Sequence, residues 1–151
     1  MDRPFSHLLV AYDGSGHADR AVDLAAHLAA AFDADLTVLH VVSTGSMVPM
    51  VMDAYAELEQ LYSTSRDLLE DTAREILARA AERAEARGAP RVSTRLEVGA
   101  VARTIVAVAD DIPADAIVMG RRGLGDLGGL LLGSVTHKVA HLADRTVVTV
   151  R

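Results

Sequence analysis

Short apolar runs alternate with segments of helical periodicity along the whole chain, and this alternation limits the architecture more than any other feature. Leu8-Leu9-Val10-Ala11-Tyr12 is a first strand, closed by Asp13-Gly14-Ser15, with Ser15 placed to cap a first helix. Ala18, Ala21, Val22, Ala25, Leu28, Ala29 and Phe32 then recur on one helical face. Leu36 to Val42 is rich in β-branched residues and apolar on both faces, as a strand between two helix layers should be. Ser43 to Pro49 reads as a loop.

Between Asp53 and Arg87, apolar residues from Leu58 and Leu61 through Leu68, Leu69, Ile76, Leu77, Ala80 and Ala84 keep a helical period that Gly88 and Pro90 end. One helix over that span would be about 50 Å long at 1.5 Å per residue, longer than a domain of this size is wide. The expectation is a docked helix from about Thr64, where Thr64-x-x-Asp67 resembles a capping box, preceded by a mobile approach or short helix over Asp53 to Ser63. Val92 to Val98 alternates as a third strand, and Val101, Ile105, Val108, Ala109 and Ile112 mark a third helix stopping before Pro113. Ala116 to Met119 is a fourth strand. Val135, Val139, Leu142 and Ala143 form the face of a fourth helix, and Thr146 to Val150 is the last strand.

Right-handed crossovers between such elements give an α/β fold, a mostly parallel five-stranded sheet covered by helices on both faces. With 151 residues, 50% of them hydrophobic, the chain is expected to be a single domain spanning 1–151 with a core of its own. A net charge of −6 and an aromatic content of 3% argue against nucleic acid, which calls for a basic stripe and stacking platforms. Zero cysteines fit a reducing compartment. Met1-Asp2-Arg3-Pro4 lacks the character of a signal peptide, and the longest charge-free run, Leu36 to Met52, is broken by His40, Ser43, Gly45 and Pro49. The expected setting is cytoplasmic, away from membranes.

In an open parallel sheet the ligand crevice lies beyond the carboxyl ends of the strands where strand order reverses. The first strand ends at Asp13 and the fourth at Gly120, beside the most polar and glycine-rich stretches of the chain. Gly120-Arg121-Arg122-Gly123, nine residues, then Gly133-Ser134 puts glycines and a hydroxyl where a phosphate-binding loop needs them, at the start of a helix. A Walker A sequence is absent, and Lys138 is the only lysine. Gly123-Leu124-Gly125-Asp126-Leu127-Gly128 matches G-x-G-x-x-G, but it opens the last strand-to-helix connection rather than the first. A nicotinamide or flavin oxidoreductase has only that pattern in its favour.

The spacing of Gly120, Gly123, Gly133 and Ser134 is G-x2-G-x9-G-[S/T], and with the Asp13 strand end, Leu39-His40-Val41-Val42 and Leu130-Leu131-Leu132-Gly133-Ser134-Val135 it resembles the ATP-binding branch of the universal stress proteins. The likeness spans essentially the whole chain. It implies a three-layer α-β-α sandwich of adenine nucleotide alpha hydrolase-like type with strand order 3-2-1-4-5, and a homodimer paired through the last strand, Val147 to Val150. It also implies a site for ATP, with or without Mg²⁺. Ala11 and Asp13 would border adenine and ribose, with Tyr12 between them. Val41 would pack on the adenine, and Met119, Gly120, Arg122 and Gly123 would line the ribose and phosphates. Gly133, Ser134, Val135 and Thr136 would complete the phosphate end, with the Ser134 hydroxyl donating to a phosphate oxygen.

Two departures bear on this. Asp126 and Gly128-Gly129 stand where relatives often carry a basic residue, which points to weaker triphosphate affinity or a need for Mg²⁺. Asp144-Arg145-Thr146 stands where a proline usually precedes the last strand, which points to a less rigid dimer edge.

Several residues have a plainer reading. Asp13 serves equally as a turn former and Ser134 as a helix N-cap. Arg121 and Arg122 suit a solvated pair. His137 and His141 share a metal-compatible spacing but lack a third ligand, so a solvated face is expected. His40 is expected to be a satisfied core histidine, with the crevice as the other reading, and Asp110-Asp111 to end a helix facing solvent. No general base beside a nucleophile is evident. The expected activity is therefore that of a nucleotide-dependent regulatory dimer in the stress response, with protein partners unknown. Catalysis would at most be slow ATP hydrolysis, or self-phosphorylation at Ser134 or Thr136. The alternative is a nucleotide-free dimeric interaction module.

Overall fold

A computed structural model describes residues 3–43, 56–122 and 132–151, with side chains at all of these except 56–65. Strand β1 (His7–Ala11) is the centre of the sheet and alternates its side chains between two apolar layers. Leu8 and Val10 enter one layer with the helix α1 (Gly16–Phe32) and the helix α2 (Ala56–Ala86). Leu9 enters the other with α3 (Val101–Asp111) and α4 (Ser134–Leu142). Strands β2 (Asp35–Ser43) and β4 (Ala116–Gly120) flank β1, while β3 (Arg91–Gly99) and β5 (Thr146–Val150) are the edges. All neighbours pair in parallel in the order β3-β2-β1-β4-β5, the three-layer sandwich that the sequence resemblance implies.

Every residue of β4 is buried, as expected of a strand covered on both faces. Helix α1 buries Ala18, Ala21, Ala25, Ala26 and Ala29 beside Val22, and these small side chains let its axis lie close to the sheet. Ser15 caps it as predicted, its hydroxyl accepting from the Ala18 N–H at 3.1 Å.

The expected break near Thr64 does not occur, because α2 is continuous from Ala56 to Ala86. Ala56-Glu57-Leu58-Glu59-Gln60-Leu61 is made of strong helix formers, and it outweighs the capping signal at Thr64. The width of the domain still has its effect: residues 66–69 are exposed, and the first buried side chain described on α2 is Ala73. From there Leu77, Ala80 and Ala84 dock at helical spacing. Arg83 fastens this half to α1 by a bidentate pair with Asp23 at 2.7 and 2.8 Å. That Arg83 hydrogen bond holds the Asp23 carboxyl below its ordinary range. Residues 44–49 of the expected loop lie outside the described residues, as do Asp53 to Tyr55.

Asp110 and Asp111 do end α3, yet each is paired rather than merely solvated. Asp110 takes Arg145 and Asp111 takes Arg95, at 2.5 Å in the second case. The Arg145 guanidinium also donates to the Ala109 and Ala114 carbonyls, both at 2.8 Å, so it staples the start of β5 to the end of α3. Among the described residues no helix is long and apolar enough to cross a membrane.

Candidate functional site

The chain leaves β1 toward β2 and β3 and returns to the other side of β1 as β4, so the switch in strand order falls between β1 and β4. Above the carboxyl ends of β1, β2 and β4 lies a cleft of about 420 Å³. Its walls follow from how each element stops.

Beyond Ala11 the ladder with β2 continues for one bond, Tyr12 N–H to the Leu39 carbonyl at 2.8 Å. The chain then turns sharply. Asp13 Oδ1 accepts from the Ser15 N–H at 2.9 Å, and Gly14 takes a φ of 84°, a region that a side chain would disfavour. Asp13 thus forms the turn and lines the cleft at once. The carbonyl of Tyr12 accepts from His40 Nδ1 at 2.7 Å. The Tyr12 phenol points away to Asp19 Oδ1 at 2.7 Å, and burial together with that carboxylate pushes its pKa up to about 12.

Past β4 the backbone is pinned on both sides of the glycine-rich segment. Arg121 donates to the Val150 carbonyl at 2.6 Å and accepts from the Gly133 N–H at 2.8 Å. Gly120 has a packing reason to be glycine: a Cβ there would meet His17 Cβ at 2.8 Å and the His17 carbonyl carbon at 2.9 Å. Helix α1 therefore starts in contact with the end of β4. Thr136 is buried and donates from Oγ1 to the Gly120 carbonyl at 2.9 Å, tying the first turn of α4 to the same point.

Helix α4 begins at Ser134 with Gly133 as its N-cap, so Ser134 is the first helical residue and not the cap. Its side chain is exposed, and helix geometry leaves the amides of Ser134, Val135 and Thr136 without intrahelical acceptors. Those residues, with Arg122, make one end of the cleft. Ala11, Leu39, Val41, Val101, Ile105 and Met119 supply an apolar surface beside it.

Of the residues singled out in the sequence, Ala11, Tyr12, Asp13, Val41, Met119, Gly120, Arg122, Ser134, Val135 and Thr136 all line this cleft. Gly133 is adjacent but is not part of the lining, and its N–H is already taken by Arg121. Gly123 lies outside the described residues. His40 joins both of its readings, being hydrogen-bonded within the fold and exposed to the cleft. Sequence reasoning missed the wall built by Leu69, Thr72, Ala73 and Ile76 of α2 and by Val101 and Ile105 of α3. Their apolar spacing marked helix faces, and nothing in it marked which part of each face would overhang the strand ends. His137 and His141 are exposed, and among the described residues no group of three or more His, Asp or Glu side chains gathers to hold a metal ion.

An apolar cleft with orphan amides and a guanidinium at one end suits a ligand with a flat apolar part and an anionic part. Two solved structures with this architecture hold such ligands. A universal stress protein in complex with cAMP superposes with a TM-score of 0.72 at 31% identity, covering 97% of each chain. The Archaeoglobus fulgidus universal stress protein in complex with dAMP gives 0.68 at 26% identity, over 97% of this chain and 98% of that one. UspA from Lactobacillus plantarum gives 0.80 at 27% identity over 97% of each.

In sequence, a universal stress protein of Thermus aquaticus is 38% identical and YxiE of Bacillus subtilis 34%, each over 97% of this chain and 99% of the relative. A Mycolicibacterium smegmatis universal stress protein is 32% identical over 95% of this chain, which spans about half, 47%, of that longer protein. The family model for universal stress proteins matches residues 4–151. With sheet order, cleft position and sequence in agreement, the chain belongs to the universal stress protein family.

Proposed function

We propose that the protein binds an adenine nucleotide, ATP in the first place, in the cleft between β1 and β4, and acts in the cytoplasm as a nucleotide-dependent regulatory homodimer. The observation that carries this reading is the division of one cleft into an apolar part and an end with orphan α4 amides and Arg122. A purine fits against Val41 and Met119, Asp13 accepts from a ribose hydroxyl, and Arg122 with the Ser134 and Val135 amides takes the phosphates. The adenine nucleotides bound by relatives agree with this assignment. Asp13 is the one carboxylate in the described lining, so Mg²⁺, which prefers oxygen ligands and keeps several waters, would be held chiefly by the phosphates.

The site is built for holding rather than for rapid cleavage. Its described lining contains no lysine, and one carboxylate does not make a two-metal centre. Slow hydrolysis or self-phosphorylation stays within this reading, and Ser134 is its phosphate acceptor, because the Thr136 hydroxyl is buried and engaged with Gly120. The partner surface is the β5 edge, where Val147, Val148 and Val150 are only partly buried.

Calorimetric titration with ATP, ADP and AMP, with and without Mg²⁺, tests the ligand, and light scattering on the same samples tests the dimer. A dimer that binds none of the three would instead support the nucleotide-free interaction module.

A further inference from the structure

The end of β1 is held by a side chain from β2. The regular ladder between the two strands runs from His7 opposite Asp35 to Ala11 opposite Leu39, and the last backbone bond beyond it is Tyr12 N–H to the Leu39 carbonyl. Tyr12 and Asp13 then diverge from β2 into the turn, and the Tyr12 carbonyl is taken by His40 Nδ1 at 2.7 Å. A carbonyl oxygen only accepts, so Nδ1 is the donor in this bond. The Tyr12 carbonyl and the Asp13 N–H belong to one rigid peptide plane. Holding the first sets the direction in which the second residue leaves the strand.

Asp13 is steadied from its other side by the Ser15 N–H, which donates to Oδ1 at 2.9 Å. Its carboxylate is thus placed between a clamp from β2 and a clamp from the start of α1. His40 and Asp13 both line the cleft, so the side-chain clamp takes over where the opening of the cleft separates the two strands.

We propose that His40 is a positioning residue for ribose recognition: through the Tyr12–Asp13 peptide it sets the Asp13 carboxylate where a ribose hydroxyl meets it. The inference rests on the nucleotide reading above and adds a residue to which that reading gives no role. His40 acts through Asp13, so its removal changes discrimination at the ribose and leaves the apolar and phosphate ends of the cleft as they are.

The test compares AMP with 2′,3′-dideoxy-AMP by calorimetry on the full chain. The parent protein prefers AMP by about tenfold or more, the scale of one hydrogen bond to a charged group. In His40→Leu, which has no donor for the Tyr12 carbonyl, AMP affinity falls to that of the dideoxy compound, which itself changes less than about threefold. In His40→Asn the side-chain amide stands where Nδ1 stood, and the preference returns. His40→Gln keeps a polar side chain but carries its amide one bond too far, and it behaves as His40→Leu does. Circular dichroism and denaturation identify which variants are folded, and the Gln and Asn pair decides the matter if Leu is not.

A folded Leu or Gln variant with the parental preference would overturn the proposal, as would an equal loss for both ligands, which marks a merely structural histidine. A parent that binds both ligands alike would overturn it while leaving the nucleotide site standing. A parent that binds neither of these, nor ATP, would overturn both readings.

Discussion

The Tyr12 phenol donates a 2.7 Å hydrogen bond to Asp19, so a residue flanked by two cleft residues is anchored to the first turn of α1. Asp19 in turn lies 4.0 Å from Arg83 of α2, and Arg83 holds Asp23. The floor of the cleft and its α2 wall are therefore tied to the same charged row.

This bond makes stability depend on pH in the alkaline range. Burial first, then the Asp19 hydrogen bond, raise the Tyr12 pKa from 10.0 to about 12. The folded state thus keeps its proton at pH values where the unfolded chain has begun to lose it. The contribution is complete below pH 10 and declines as the pH rises from there toward 12. Tyr12→Phe lacks both the bond and the ionisation, so its stability deficit, about 1 kcal/mol at neutral pH, shrinks across that window. Urea denaturation of parent and variant at intervals between pH 8 and 11.5 checks this, and a constant deficit would contradict it.

Gly120→Ala is expected to destabilise the fold. The added Cβ meets His17 backbone and side chain under 3.0 Å, and the Arg122 carbonyl oxygen at 3.1 Å. Backbone cannot swing aside as a flexible side chain can, so α1 must shift off β4. The loss should be in the overpacking range, roughly 1–3 kcal/mol, read from denaturant midpoints.

How far the sequence discloses such relationships depends on how far apart the partners are in the chain. The Ser15 cap is local, and its partner Ala18 is visible three residues away. The strands and their burial follow from apolar runs, and the parallel order from the βα alternation together with the family motif. Gly120 is legible as a glycine that matters, but its contact with His17 arises only when α1 lies across β4. Thr136 is likewise legible as part of the motif, but its hydrogen bond to the Gly120 carbonyl appears only when α4 lies beside β4. Asp110 and Asp111 end α3 and face solvent as expected, but nothing nearby in sequence names Arg145 and Arg95 as their partners. The α2 wall of the cleft depends on where a long helix overhangs β2, a tertiary fact with no local signature.

Arg145 anchors the start of β5 to the end of α3. Its side chain is 16% exposed and donates to the carbonyls of Ala109 in α3 and Ala114 just beyond it while pairing with Asp110. Arg145→Met keeps much of the aliphatic packing and removes these charged donors. It should cost about 2 kcal/mol, within the range for hydrogen bonds to a charged group, and, with β5 as the proposed pairing edge, it should weaken self-association. Nucleotide affinity, set at the other end of the sheet, should stay within about twofold of the parent once the protein is folded. Denaturation, light scattering and calorimetry on this one variant separate the three effects.

Ser134 and Thr136 stand two residues apart in the first turn of α4 and do different work. The Ser134 side chain is exposed at the cleft and leaves the N-cap to Gly133, whereas the Thr136 hydroxyl is buried against the Gly120 carbonyl. Ser134→Ala should therefore leave the denaturation midpoint nearly unchanged and weaken ATP binding about tenfold, the scale of one hydrogen bond to a phosphate oxygen. Thr136→Val fills the same volume but strands a buried carbonyl, so it should lose about 1–3 kcal/mol of stability. Its effect on ATP should come only through displacement of the α4 amides. Phosphopeptide mapping after incubation with ATP separates the two again. Any self-phosphorylation should appear at Ser134 and vanish in Ser134→Ala, and modification of Thr136 in the folded protein would mean that the first turn of α4 opens away from Gly120.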